Sequence, residues 1–131
     1  MMADRVLIDT CIWASVFAKP ASSEHHAAER LIEEERVVVI GPVLTEVLYG
    51  FRRREQAEWA ASRLRNLGWI DVAWDDWEEA AALGRQLAAA GHRLPLADLV
   101  IAAIARRHDL SVYTIDPHFD LFADLRRFPP D

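Results

Sequence analysis

Apolar residues in this chain fall into two kinds of run. Val6-Leu7-Ile8 and Val37-Val38-Val39-Ile40 are short and do not alternate with polar residues, and Leu110 to Ile115 is a further short strand-like stretch. Branched runs of that kind predict strands covered on both faces of a parallel sheet. Trp69 to Ala73 reads as one more strand. Longer stretches between them carry apolar residues at helical spacing. A helix is expected over Cys11 to Ala18, halted by Pro20, and another from a Ser22 or Ser23 cap to about Arg36. A third runs from Val43 to about Arg53 behind Gly41-Pro42 and buries Val43, Leu44, Val47, Leu48 and Phe51. A fourth spans Glu55 to Asn66 with Gly68 as its stop, and a fifth starts at Asp75 or Asp76 and is closed after Ala90 by Gly91. Leu121 to Phe128 fits either a short helix or a terminal edge strand, and Pro129-Pro130 ends the ordered chain. Strands alternating with helices predict an α/β fold, a three-layer α/β/α sandwich around a mostly parallel sheet.

One helix stands apart. Leu96 to Arg107 is apolar almost all round, as expected of a helix buried on most sides, yet it carries Asp98 in its first turn. Ile101 and Ala102, one turn on, offer that acid no basic partner. Two readings stand: a buried carboxylate that needs a pKa shift, a cation from elsewhere or a metal, or a wet first-turn acid complementing the helix dipole.

Composition narrows the class. The chain has 131 residues, enough for one domain with one core spanning 1–131, and its 52% hydrophobic and 27% charged residues fit an ordinary globular protein. No run has the length of a membrane span and MMADRVLID has no signal-peptide pattern, so a cytoplasmic location and no membrane contact are expected. Cys11, the one cysteine, cannot form an internal disulfide. A net charge of −6 is the wrong sign for a broad nucleic-acid-binding face, so any such contact must be local.

Four acids then belong together. Asp9 and Asp116 each follow an apolar strand, at the carboxyl edge where open parallel sheets bind ligands. Glu46 and Asp98 lie near the starts of helices that follow that edge, and Glu46 also lacks a basic neighbour one turn away. Carboxylates gathered in this way repel unless a cation lies among them, and an all-oxygen set selects Mg²⁺ or Mn²⁺. Such a centre suits phosphodiester hydrolysis. The hydroxyls of Thr10 and Thr114 are placed to orient the cluster. Each acid has a plainer use: Asp9 as a helix cap, Glu46 as an exposed side chain, Asp116 as an Asp-Pro turn former.

The segments LIDTCIW, LTEVLYGF, PLADLVIAAIA and YTIDPHF, in this order, resemble those of PIN-domain proteins, specifically VapC-type toxins. The resemblance spans nearly the whole chain. It implies a Mg²⁺- or Mn²⁺-dependent endoribonuclease with Asp9, Glu46, Asp98 and Asp116 as the acidic quartet and Thr10 as a supporting hydroxyl. It also implies a cognate VapB-type antitoxin, homodimerisation, and tRNA or rRNA as substrate. Cys11 departs from the family, whose members often carry Asn or Ser there.

Other features compete for roles. Arg52-Arg53-Arg54 and Arg106-Arg107-His108 are either phosphate contacts or solvated helix ends. His25, His26, His92 and His118 lack zinc spacing with any cysteine, and His118 reads as a turn residue that could lie near the acids. Asp120 reads as a surface acid, with the site as its alternative. Trp13 and Trp59 mark a candidate partner surface for a docking segment such as an antitoxin's, and arginines from that partner are expected to enter the acidic site and block it. A receiver-like phosphoacceptor is disfavoured, because one acid follows the first strand and the only lysine is Lys19. A catalytically silent protein-binding module remains the alternative function.

Overall fold

A computed structural model describes residues 4–129. Pro130, expected to end the ordered chain, lies outside them. Five strands form one sheet in the order β3-β2-β1-β4-β5, and every neighbouring pair is parallel. They are β1 (Val6–Ile8), β2 (Val37–Val39), β3 (Gly68–Trp69), β4 (Ser111–Tyr113) and β5 (Arg127–Phe128). All residues of β1, β2 and β4 are buried. Because successive side chains point to opposite faces, this requires cover on both sides of the sheet.

Six helices supply that cover: α1 (Thr10–Ala18), α2 (Ser23–Glu33), α3 (Gly41–Tyr49), α4 (Arg54–Leu64), α5 (Trp74–Ala89) and α6 (Leu96–Arg107). α1 packs on α2 and α3, α3 on α4 and α6, and α5 along α6. The core is the aliphatic set expected from the strand runs, joined by Val100, Ile101 and Ile104 of α6 and by Trp13 and Phe119. Among the described residues no helix is long and apolar enough to cross a membrane.

Several boundaries differ from expectation for local reasons. α2 stops at Glu33 because the chain reverses through Glu35, which adopts a left-handed φ of 57°. α3 ends at Tyr49, short of Arg53, where Gly50 caps it. Gly68 does not stop α4. It lies in β3, where a Cβ would come within 2.7 Å of the Val37 carbonyl oxygen, so glycine is what lets this edge strand approach β2. The segment from Ile70 to Ala73 is not strand. α5 is capped from Ala73, whose amide donates to Asp76 at 2.9 Å. Gly91, at φ 93°, takes the conformation that ends α5. Of the two alternatives for the last segment, the edge strand is found, as β5.

The sheet order places the site. β1 runs to β2 and β3 on one side, and the chain returns to place β4 on the other side of β1. The crevice between the carboxyl ends of β1 and β4 is therefore where connections diverge, the usual ligand position in such sheets.

Candidate active site

Asp9 leaves the end of β1 and its amide donates to the Tyr113 carbonyl at 2.9 Å, so it lies beside the end of β4. It also caps α1, accepting at 2.7 Å from the Thr10 amide. Its other oxygen accepts from the Thr114 hydroxyl at 2.8 Å and, more weakly, from the Cys11 thiol at 3.5 Å. The cap reading and the site reading thus hold for one carboxylate, which is only 5% exposed. Burial foremost, with the Asp9 charge adding to it, raises the pKa of Cys11 and keeps it a thiol.

Thr114 joins the two strand-end acids. Its oxygen donates to Asp9 and accepts at 3.0 Å from the Asp116 amide. Asp116 in turn accepts at 2.9 Å from the His118 amide and starts the 3-10 turn over Pro117–Leu121. The Asp-Pro turn expected at this point is what holds the carboxylate at the sheet edge.

Asp98 is 7% exposed, so it is not a wet first-turn acid. Its partner from elsewhere is His118, whose Nδ1 lies 2.7 Å from Asp98 Oδ2 and 3.3 Å from Asp116 Oδ1. Burial raises the pKa of Asp98 and the charges of Asp116 and Asp9 push it further up, while the hydrogen bond from His118 opposes them. The same hydrogen bond raises the pKa of His118. One ligand atom each from Asp98, Asp116 and His118 falls within 4.8 Å of the others, a spacing that fits a metal ion. His118 had one usable signal in the sequence, its position two residues beyond a strand-end acid.

Glu46 is exposed on α3 and joins this group through Thr10, whose hydroxyl donates to it at 3.1 Å. The structure therefore gathers Asp98, Asp116 and His118 closely, ties Asp9 to them through Thr114 and through its charge on Asp98, and sets Glu46 at the margin. Asp120 is outside, paired with Arg127 at 3.1 Å and well exposed. Of the basic clusters, Arg106 binds Asp124 and Glu79, and Arg107 binds Asp75 and Asp76. Those arginines hold α6 to its neighbours and are not free for phosphates. Arg54 pairs with Glu58, whereas Arg52 and Arg53 make no ion pair among the described residues.

An apolar groove lies behind α1, lined by Trp13, Phe17, Ile32, Trp59, Leu64 and Leu67, with a volume of about 240 Å³. A separate cavity of about 410 Å³ opens beside Thr10 and Glu46.

The sequence profile of the PIN domain matches residues 6–125. VapC ribonuclease Mb1587 of Mycobacterium bovis is 30% identical over 126 residues, which cover 92% of this chain and 92% of that protein. Among solved structures, VapBC2 from Rickettsia felis, bound to a DNA fragment of its promoter, superposes with a TM-score of 0.80 at 22% identity, covering 96% of this chain and 98% of that one. VapC20 of Mycobacterium tuberculosis, described as a sarcin-ricin loop cleaving toxin, gives a TM-score of 0.69 at 23% identity, over 92% and 95% of the two chains.

Proposed function

Because the chain belongs to the PIN-domain family, we propose that it is a metal-dependent endoribonuclease, the toxin of a toxin–antitoxin pair, with Asp9, Glu46, Asp98 and Asp116 as its acidic site. The observation that carries this reading is the convergence of Asp9, Asp98 and Asp116 at one sheet crevice, with Asp98 buried beside two like charges and only the His118 imidazole to oppose them.

Asp98 and Asp116 are the first candidates to hold the ion, with Asp9 and Glu46 completing a hard-oxygen set suited to Mg²⁺ or Mn²⁺. A divalent ion in this position supplies charge stabilisation at a phosphoryl group and lowers the pKa of a water. The chain's own residues do the positioning. Thr114 fixes the Asp9 carboxylate and holds the backbone at Asp116, Thr10 orients Glu46, and His118 holds Asp98 from the side. His118 extends the expected quartet as a positioning residue.

The same reading includes a VapB-type antitoxin, tRNA or rRNA as substrate, and a homodimer. Of the two tryptophans expected to mark a partner surface, Trp13 is buried in the core and Trp59 is half exposed at the groove behind α1, which suits an apolar docking segment; the acidic site suits arginines from the same partner. For self-association, the supporting feature is Tyr49 on α3 and Leu96 at the start of α6, 89% and 67% exposed on helices that pack together.

The test is cleavage of end-labelled tRNA and rRNA by the purified chain with Mg²⁺, Mn²⁺ or EDTA, beside Asp98→Asn and Asp9→Ala. Metal-dependent products that vanish in both variants are expected. Cleavage that persists in EDTA or in Asp98→Asn sinks the assignment. Metal binding by calorimetry, absent in wild type, would favour the silent module.

A further inference from the structure

The cavity beside Thr10 and Glu46 is not needed by the acid chemistry, and its lining is of a different kind. Phe17 and Phe51 meet edge to face at 5.8 Å and form an aromatic wall, with Val47 beneath and Gln56 at the mouth. Phe17 is braced behind by Trp13 and Trp59, at ring separations of 5.8 and 5.5 Å. The wall is therefore held rigidly. Thr10 and Glu46 belong both to this cavity and to the hydrogen-bonded margin of the acidic site. Whatever fills it lies next to that margin.

We infer that this cavity is a nucleobase subsite, taking a base of single-stranded RNA one nucleotide from the scissile bond. This rests on the ribonuclease reading and supplies what that reading lacks, a means of gripping RNA on an acidic protein. An aromatic wall stacks any base, and the Gln56 amide offers one donor and one acceptor to its edge. The volume of about 410 Å³ accommodates a flat heterocycle. Charge complementarity is local. Arg52 and Arg53 directly follow Phe51, are exposed, and make no ion pair among the described residues, so they are free to hold the phosphates flanking the base. The arginines of α6, by contrast, are already engaged.

The experiment uses the full chain and short single-stranded RNAs carrying 5-iodouridine at each position in turn, irradiated in Mg²⁺ and mapped by mass spectrometry, with cleavage followed in parallel. The expected adduct is on Phe17 or Phe51. Phe51→Ala should lose it and lower kcat/KM about tenfold, the order that stacking one base contributes. Gln56 is exposed, so Gln56→Ala tests the same point without risk to folding, and it should change base preference beside the cut. Arg52→Ala should raise KM while kcat is kept. Adducts confined to other surfaces, or unchanged base preference and kcat/KM in both cavity variants, overturn the subsite. Loss of antitoxin inhibition in Phe51→Ala with cleavage intact gives the cavity to the protein partner and also overturns it. An adduct at Phe51 without any cleavage sustains the subsite and defeats the ribonuclease reading, so the two fail separately.

Discussion

Asp98 lies one turn into a helix whose other side chains are almost all in the core, and the fold holds it there beside two further carboxylates. Its raised pKa means that the folded chain binds the proton more readily than the unfolded one does. Ionisation of Asp98 therefore works against folding: the cost is absent below the ordinary value of 3.8 and is complete once pH has risen past the raised folded value. Replacing the acid with its uncharged isostere removes that cost. Asp98→Asn should abolish cleavage while melting no lower than wild type at pH 7 in EDTA, as read by thermal unfolding; a variant that fails to fold would make Asp98 a structural acid. Asp9 behaves differently because one carboxylate oxygen caps α1. Asp9→Ala should lose activity and also about 1 kcal/mol of stability, measurable by urea unfolding.

These residues were unequally legible. Asp9 and Asp116 could be read because strand runs end abruptly at them, and Asp98 because an acid in an all-apolar helix is conspicuous. Its partner His118 could not be assigned, since a contact across 20 positions depends on how a turn folds back over α6. Asp76 gave no sign of being 1% exposed: acids in a first helical turn are usually solvated, and this one is buried because Arg107 and the Ala73 amide satisfy it.

At the scale of elements, the junction of α1 and α2 shows how a loop is fixed by chemistry. His25 engages the Val16 carbonyl through Nδ1 at 2.8 Å and Glu29 through Nε2 at 2.7 Å. Both partners are acceptors, so the arrangement is complete only for the doubly protonated ring. The hydrogen bond to Val16 accordingly raises its pKa above 6.5, with Glu29 assisting. For a cation of raised pKa the stabilisation is full below 6.5 and is lost as pH rises through the folded value. The stability difference between wild type and His25→Gln should shrink between pH 6 and pH 8. A difference that stays constant would remove His25 as the cause. Element boundaries were the less readable part of the sequence. The helix end at Glu33 is set by the left-handed turn at Glu35, that at Tyr49 falls at Gly50, and β3 is only two residues long, paired to Val38 and Val39.

For the molecule as a whole, the parallel order β3-β2-β1-β4-β5 makes the first strand the central one. β1 is buried on both faces and cannot pair on its second edge until β4 exists, so the core is closed only by the last quarter of the chain. A chain cut before Leu110 should show no cooperative unfolding transition and no cleavage; a folded fragment with activity would contradict the topology. The three-layer arrangement itself was readable because unalternating strand runs demand cover on both sides.

That order also sets a clock. Asp9 leaves the ribosome long before Asp98 and Asp116 do. At the usual rate of synthesis roughly five to twenty seconds separate the first acid from the last. Throughout that interval the nascent polypeptide carries an incomplete set of the candidate acids. On the proposed ribonuclease reading, cleavage becomes possible only once Asp116 has joined the other three, and that is also when a partner first meets a finished site.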